Sequence, residues 1–200
     1  MSQSVRNRES GLIVILDGPS GVGTSTTLEA LQEAWSRVRT EPLLDVGLDR
    51  TLTAFGPELD RWWDLLTPVV TSSARGAVHW GPLGRELIGG MHRVAAAWAA
   101  AGWDVALDHL LLDRTTVSDL RSAVAGLPVL HVGLTCHPEV LVERGADAYG
   151  DARPGVLWQL DAFASVTGRD LVLDTTDMSV AEVVEVILVA VSRRLMLRRR

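Results

Sequence analysis

The sequence predicts an α/β protein of three layers, in which a mostly parallel, five-stranded sheet lies between two layers of helices. Two observations predict this class. Apolar runs of strand length alternate with segments of helical periodicity, and a glycine-rich turn joins the first run to the first helix. The chain of 200 residues is long enough for one such domain and too short for two ordinary ones. We therefore expect residues 1–200 to form a single domain.

The predicted strands lie at residues 12–17, 42–48, 103–107, 127–134 and 171–174. The first run is apolar without interruption, as expected of a central strand that is buried on both faces. Helical periodicity or helix-start signals mark residues 25–38, 83–101, 115–125, 138–144, 155–166 and 180–197. The stretch from 53 to the helix at 83 has no regular period, and residues 145–155 are predicted to form a loop.

Composition excludes several functional classes. The formal net charge of −6 and the pI near 5.3 argue against nucleic acid as the main partner. No run of about 18 uncharged apolar residues occurs, so no membrane span is expected. The first residues lack the apolar core of a signal peptide, and the single cysteine, Cys136, suits a reducing compartment. A cytoplasmic protein is the expectation.

The turn after the first strand has the spacing of a phosphate-binding P-loop. Gly18, Gly23 and Ser25 match Gly-x-x-x-x-Gly-Lys-[Ser/Thr], whereas Thr24 stands where the lysine is expected. Backbone N–H groups in such a turn converge on one point, and the helix N-terminus behind them favours negative charge. The predicted nucleotide-binding residues are Gly18, Pro19, Ser20, Gly21, Val22, Gly23, Thr24, Ser25 and Thr26.

The missing lysine cannot be replaced by another lysine, because the chain contains none and all 19 of its basic residues are arginines. Arginines, a metal ion and backbone donors are the remaining groups that could hold phosphate. Arginine binds phosphate bidentately, but its planar fork does not reproduce the point charge of a lysine.

Two aspartates follow predicted strands. Asp49 comes directly after the second strand, at the edge where open α/β sheets hold ligands. A carboxylate there can accept the proton of a hydroxyl during phosphoryl transfer, although the local pattern alone favours a helix N-cap for the segment that begins at Arg50. Asp108 ends the third strand, where a carboxylate that organises magnesium or binds a substrate hydroxyl would lie. His109 beside it is a candidate acid/base or substrate-binding group, or a structural hydrogen bonder.

The irregular stretch between residues 53 and 83 holds three of the seven tryptophans. Aromatic side chains at this density predict walls around an apolar ligand, and Trp62 and Trp80 are the candidates for substrate contact. The alternative is that these tryptophans fill a small satellite core.

A glycine-flanked segment, residues 144–155, carries Arg144 and Arg153. With a P-loop upstream, it is interpreted as a lid that places cations on a transferring phosphoryl group. Solvated surface arginines are the structural alternative.

These motifs together resemble the chloramphenicol phosphotransferase-like family of P-loop kinases. The resemblance runs from about residue 12 to residue 190. The matching segments are the P-loop through Ser25, Val46-Gly47-Leu48-Asp49, Trp80-Gly81-Pro82, Leu107-Asp108, Val132-Gly133-Leu134-Thr135-Cys136, Glu143-Arg144, Gly150-Asp151-Ala152-Arg153 and Leu173-Asp174-Thr175-Thr176.

The resemblance implies a P-loop kinase fold with ATP and Mg²⁺ as cofactors and a small-molecule hydroxyl as acceptor. It implies that Asp49 acts as base, that Arg144 and Arg153 stabilise the transferring phosphoryl group, and that Ser25 binds magnesium. It also implies that Thr175 and Thr176 lie near the adenine. The chain departs from the family at Thr24 and in the order Ala152-Arg153 within an extended lid.

Three functions remain open at this point. The first is an active kinase for a hydroxyl on an apolar, antibiotic-like molecule, with Ser25 and Asp108 at the magnesium. The second is a catalytically impaired descendant that binds nucleotide or ligand, as the loss at Thr24 suggests. The third is a nucleotide kinase. The acceptor region argues against it, because it has few arginines that could bind a nucleotide phosphate. Association into a homo-oligomer is left open as well.

Overall fold

The elements follow one another in the alternating order that the periodicity predicts. The computed structural model describes residues 9–58, 68–70, 78–149 and 153–198. Its strands are β1 (Ile13–Asp17), β2 (Leu43–Asp45), β3 (Pro68–Val70), β4 (Val78–Trp80), β5 (Asp104–His109), β6 (Val129–Thr135) and β7 (Leu171–Asp174). Its α-helices are α1 (Thr24–Ala34), α2 (Leu48–Thr53), α3 (Pro82–Ala100), α4 (Arg114–Ala123), α5 (Pro138–Tyr149), α6 (Arg153–Ser165) and α7 (Val180–Arg198).

The main sheet has five strands in the order β2-β5-β1-β6-β7, and every pair in it is parallel. The predicted α/β class with a five-stranded sheet is therefore confirmed, and the sheet is entirely rather than mostly parallel. Because all five strands run the same way, their carboxyl ends lie along one edge. The turn after β1, the residues after β5 and the residues after β7 meet at that edge.

Alternate residues of β1 enter two separate cores. Val14 and Leu16 pack with α1 and α7, whereas Ile13 and Ile15 pack with α3 and α4. All five residues of β1 are buried, which explains why this strand is apolar on both faces. The three layers are therefore helices α1 and α7, the sheet, and helices α3 and α4.

Three segments differ from the sequence prediction. The second strand ends at Asp45, and α2 begins at Leu48. A two-stranded antiparallel pair, β3 and β4, lies within the stretch that has no regular period. The predicted loop at 145–155 is largely helical, because α5 continues to Tyr149 and α6 begins at Arg153. Gly145 weakens a helix by about 1 kcal/mol, but the alanines at 146 and 148 are strong helix formers that carry α5 past it.

Helices α3 and α7 are the longest, with 19 residues each. Each packs one side against the sheet, α3 through Ile88 and Met91 and α7 through Ile187 and Val191. Within the described ranges no helix is both long and apolar enough to cross a membrane.

A buried ion pair joins the last residue of β1 to Arg169, in the connection between α6 and β7. Asp17 Oδ2 accepts a hydrogen bond from Arg169 Nε at 2.8 Å, and the two side chains are 1% and 5% exposed. Arg169 also donates to the carbonyls of Phe163 and Val166, at 3.0 and 2.6 Å. Burial alone would raise the pKa of Asp17, but His131 and Arg169 hold that pKa below its usual value. The carboxylate is thus charged and paired directly beneath the P-loop.

Replacing Arg169 by methionine should lower the free energy of unfolding by about 3–5 kcal/mol, because it leaves the buried Asp17 charge without its arginine partner. Urea denaturation monitored by circular dichroism measures this loss. Arg37→Met is the matched control, because it removes an ion pair to Glu185 whose side chains are 55% and 54% exposed. The control should lose less than about 1 kcal/mol. Equal losses in the two variants would contradict the role given to Arg169.

Candidate active site

A cleft of about 670 Å³ opens at the carboxyl edge of the sheet. This volume is within the range of small-molecule sites. Its lining combines the P-loop, the start of α2, the end of β5, and the turn between β7 and α7. The lining residues include Gly18, Ser20, Gly21, Val22, Gly23, Thr24, Ser25, Thr26, Leu48, Asp49, Asp108, His109, Leu110, Arg144, Thr175, Met178 and Ser179.

The glycines of the P-loop are required by its shape. Gly21 and Gly23 have φ angles of 85° and 100°, which residues with a Cβ atom rarely adopt. A Cβ on Gly18 would lie 2.7 Å from the carbonyl oxygen of Leu134. Gly23 is the N-cap of α1, and within the described residues no side chain caps this helix. The first-turn N–H groups of α1 therefore face the cleft as an anion-binding site.

Thr24 is the first residue of α1, at the position where a P-loop lysine would begin its reach over the phosphates. The rest of the loop is held independently of this side chain. Val22 N donates to the carbonyl of Pro19 at 3.1 Å, and Ser20 N donates to Gln159 Oε1 of α6 at 2.6 Å. The substitution at Thr24 thus removes a charge while the backbone cradle stays formed.

Two carboxylates converge on the hydroxyl of Ser25. Its Oγ lies 3.0 Å from Asp49 Oδ2 and 3.1 Å from Asp108 Oδ2. A serine hydroxyl has one proton, so it can donate to only one of the two carboxylates at a time. The three oxygens therefore call for a further proton or a cation between them. Mg²⁺ prefers oxygen ligands, and it is commonly held by one or two carboxylates together with substrate phosphates.

The electrostatics of the pair agree with that interpretation. Burial, and next the charge of Asp49, raise the pKa of Asp108 to about 6. A second cavity, of about 190 Å³, adjoins the pair and is lined by Asp45, Asp49, Arg50 and Asp108. No cluster of three or more His, Cys, Asp or Glu side chains suited to a metal occurs in the described part of the chain. The donors at hand are thus two carboxylates and one hydroxyl, a set that fits Mg²⁺ in the presence of phosphate oxygens.

Asp49 lies in the first turn of α2, four residues beyond the last residue of β2. Gly47, in an extended conformation, is the N-cap of this helix, so Asp49 does not cap it. Gly47 also leaves room for the other carboxylate, because a Cβ here would lie 1.6 Å from Asp108 Oδ1. A side chain at position 47 would therefore displace the Asp108 carboxylate.

Arg144 is the only arginine among the described residues that line the cleft. Its guanidinium donates to Thr175 Oγ1 at 3.3 Å and to the carbonyl of Thr175 at 3.2 Å. Thr175 Oγ1 in turn contacts the carbonyl of Val22 in the P-loop at 3.4 Å. The turn after β7 thus holds a cation beside the loop that lacks a lysine.

The other predicted residues are placed differently from one another. Thr175 lines the cleft. Thr176 Oγ1 accepts a hydrogen bond from His137 N at 2.8 Å and donates one to Asp174 Oδ1 at 2.6 Å. Trp80 is 3% exposed and packs in the core, with its Nε1 donating to the carbonyl of Leu110 at 3.3 Å. Arg153 is the first residue of α6, and its side chain lies outside the described part, as does Trp62 altogether.

Sequence reasoning missed several residues that build the site. Gln159 and Arg169 tie α6 to the P-loop and to Asp17, and neither lies in a recognisable motif. His92 contacts His109, and the only sequence signal for it is a polar residue on the apolar face of α3, between Met91 and Ala95. Such a polar position on a buried helical face is the kind of signal that can reveal a hidden partner.

Comparisons with known proteins identify a family and a fold. The model of the family described as chloramphenicol phosphotransferase-like protein matches residues 11–192. Among curated proteins, none matches the chain significantly.

Solved structures share the fold at low sequence identity. A gluconokinase from Sinorhizobium meliloti 1021 has a TM-score of 0.63 and 21% identity, covering 97% of this chain and 100% of its own. The Deinococcus radiodurans tunicamycin resistance protein has a TM-score of 0.61 and 21% identity, with coverages of 90% and 95%. A Mycobacterium tuberculosis APS kinase in complex with AMPPNP and APS has a TM-score of 0.60 and 18% identity, with coverages of 90% and 96%.

Replacing Asp49 by asparagine should lower the pKa of Asp108 from about 6, because it removes the second-largest cause of the shift. That pKa should stay above 3.8, since burial, the largest cause, remains. Carboxyl ¹³C NMR titration measures the change. Glu139→Gln, which removes an acid outside the cleft, should leave the pKa of Asp108 where it is. An unchanged Asp108 pKa in Asp49→Asn would contradict the pairing.

The raised pKa also has a signature in stability. Folded Asp108 binds its proton more tightly than the unfolded chain does, so its contribution to the free energy of unfolding decreases as pH rises from 3.8 to about 6. Urea titrations across this window should show a smaller decrease in the free energy of unfolding with pH for Asp108→Asn than for the native chain. The same slope in both proteins would contradict the raised pKa of Asp108.

Gly47→Ala should displace the Asp108 carboxylate and destabilise the fold by about 1–3 kcal/mol, as overpacking does. The backbone is not the cause, because the Gly47 angles of φ −74° and ψ 178° suit alanine. Gly90→Ala is the control, since a Cβ there meets nothing within 4 Å. Denaturant midpoints distinguish the two variants. Equal stability of both would contradict the close approach of Gly47 to Asp108.

Proposed function

Because the chain belongs to the chloramphenicol phosphotransferase-like family, we propose that it transfers the γ-phosphoryl group of ATP to a hydroxyl of an apolar, antibiotic-like small molecule. The general class, a P-loop kinase, is supported by the family match and by the fold. The observation that supports transfer to a hydroxyl is the convergence of Asp49 and Asp108 on Ser25 at the mouth of the P-loop. Such a constellation serves in-line phosphoryl transfer, in which positioning and charge neutralisation supply most of the catalysis. The apolar, antibiotic-like acceptor rests on the family match.

Asp49 is the proposed base. Its side chain is exposed at the start of α2 and lies on the cleft, so an incoming hydroxyl can reach it. The hydroxyl oxygen attacks the γ-phosphorus, the bond from that phosphorus to the bridging oxygen breaks, and ADP leaves with the electron pair. The hydroxyl proton passes to the Asp49 carboxylate.

Ser25 and Asp108 are the proposed magnesium ligands. When bound, Mg²⁺ would neutralise charge on the β- and γ-phosphates. The buried position of Asp108, at the end of a central strand, fixes one ligand, while Ser25 in the first turn of α1 brings the second to the phosphate cradle.

Arg144 is the proposed compensation for Thr24. It lines the cleft and is anchored by the Thr175 carbonyl, so its guanidinium is positioned before nucleotide arrives. A preorganised cation is more effective than one that must be ordered during the reaction. Arg153, at the start of α6, is proposed as the second cationic clamp of a lid region at about 144–155, and Thr175 and Thr176 as neighbours of the adenine.

The acceptor is proposed to bind beside Asp49, Asp108 and His109. Trp62 is proposed as a further substrate contact, and residues 1–200 are proposed to form a single domain.

A second candidate function, a nucleotide-binding descendant without turnover, is favoured by one observation, the loss of the lysine at Thr24. Removing one donor that stabilises charge in a transition state typically slows an enzyme by about 10²–10³-fold.

ATP–Mg²⁺ binding measured by calorimetry on the native chain and on Thr24→Lys separates these functions. We expect both to bind, with tighter binding by Thr24→Lys because it restores a cation over the phosphates. Absence of binding in both would overturn the kinase proposal. Binding by both with turnover only in Thr24→Lys would favour the descendant without turnover.

Asp49→Asn provides the catalytic arm of the same experiment. It should keep ATP–Mg²⁺ binding and lower phosphoryl transfer to chloramphenicol or another hydroxyl acceptor by roughly 10²–10⁴-fold, because the base is lost. Glu139→Gln is the control for removing an acid elsewhere. Unchanged transfer in Asp49→Asn would exclude Asp49 as the base.

A further inference from the structure

Helix α7 has an exposed face that is apolar at its centre and charged at its ends. The buried side of this helix packs into the core through Ile187 and Val191. Exposed residues recur on the opposite side with spacings of four, three and four, and we call them the α7 seam: Glu182, Val186, Val189 and Arg193. Val186 and Val189 are 37% and 49% exposed. This spacing is that of the contact positions in a coiled coil.

The two ends of the α7 seam carry opposite charges. Glu182 Oε2 accepts hydrogen bonds from Ser179 N at 2.8 Å and from Ser179 Oγ at 2.7 Å, which hold the carboxylate at the start of the helix. These bonds lower the pKa of Glu182, so it is charged at neutral pH. A carboxylate accepts more than two hydrogen bonds, so Glu182 can also receive an arginine. Arg193 lies about 16 Å farther along the helix, too far to pair with Glu182 of the same chain.

A second copy of α7 in the antiparallel direction complements the seam. With a twofold axis between Ile187 and Leu188, Val186 of one copy meets Val189 of the other, and Glu182 meets Arg193. The twofold axis repeats each contact, which gives two valine pairs between two ion pairs. Parallel helices in the same register would instead place like charges against each other, which is unfavourable. Charge complementarity therefore selects the antiparallel arrangement.

Two charged residues beside the seam are already paired within the chain. Glu185 forms an ion pair with Arg37. Arg194 lies 3.7 Å from Asp170. A second copy of α7 would therefore meet compensated charges at these two positions.

The same register brings the far end of α7 to the cleft. Met196 and Leu197, in the last turn, are 67% and 68% exposed. Met196 of one copy would lie opposite Ser179 of the other. Ser179 and the 37%-exposed Val180 line the cleft beside the P-loop. Apolar side chains of one copy would thus cover the rim of the other copy's cleft.

We propose that two copies of the chain associate through the α7 seam, antiparallel about a twofold axis, and that the last turn of each α7 borders the cleft of the other copy. The association needs neither nucleotide nor acceptor, so it stands apart from the proposed kinase activity. One helix of 19 residues from each copy forms an interface at the small end of the specific range. The dimer is therefore reversible and depends on concentration.

Sedimentation velocity over a concentration series tests the association. The mass of the native chain should rise from 21.6 kDa toward twice that value. Val189→Glu should stay monomeric, because it would bury a carboxylate against Val186 of the second copy without a partner. Val94→Glu, at a 45%-exposed valine of α3, is the control and should dimerise like the native chain. Circular dichroism shows that both variants are folded. A monomeric native chain, or native-like dimerisation of Val189→Glu, would overturn the proposal.

Charge reversal tests the ion pairs. Arg193→Glu alone and Glu182→Arg alone should each weaken dimerisation by about tenfold or more, because like charges then meet across the interface. An equimolar mixture of the two variants should dimerise again, since every pair in the mixed dimer has opposite charges. Loss of the cap in Glu182→Arg acts within one chain and cannot be restored by mixing. A mixture that stays as weak as its components would overturn the ion pairs.

A spin label on Met196→Cys tests the direction of the helices. Cys136 is buried, so the label reacts at position 196. Mixed with ¹⁵N-labelled native chain, the spin-labelled copy should broaden the amide resonance of Ser179. The label on Val94→Cys should leave that resonance sharp. Broadening near residue 196 instead of residue 179 would indicate parallel helices and would overturn the proposed arrangement.

Discussion

The buried carboxylate of Asp17 is the interaction on which the rest of the site depends. It ends the central strand immediately before the P-loop, and it accepts hydrogen bonds from Leu111 N at 3.2 Å and from Arg169. The first bond holds the chain as it leaves β5, and the second holds the C-terminal end of α6. A buried charge is tolerated only when it is paired in this way. A single side chain therefore holds three segments around the cleft in place: the end of β1, the chain that leaves β5 and the C-terminal end of α6.

The end of β5 shows how one strand can serve two kinds of chemistry. Asp108 faces α1 and Ser25, while His109 faces α3 and His92. Both are buried, yet the first faces a hydroxyl and a second acid, and the second faces a neutral ring. An acidic residue and a ring whose pKa burial lowers can thus lie next to each other in sequence.

The parts that sequence could predict are those with local signals. Uninterrupted apolar runs identified the strands of the parallel sheet, and the spacing of Gly18, Gly23 and Ser25 identified the loop. The sequence places Asp49 directly after a strand, yet it lies on a short helix, because β2 ends at Asp45 and α2 begins at Leu48. The pairing of His92 with His109 and of Gln159 with Ser20 joins residues far apart in the chain, for which no periodicity exists. Such contacts follow from the topology and could not be derived before it was known.

The alternation of Asp108 and His109 also limits how this chain can change length. Inserting or deleting one residue within Asp104–His109 would exchange the two faces, turning the imidazole toward Ser25 and the carboxylate toward His92. Both sets of contacts would be lost together, whatever residue was inserted. We therefore expect insertions and deletions to be confined to the connections between the elements of the fold.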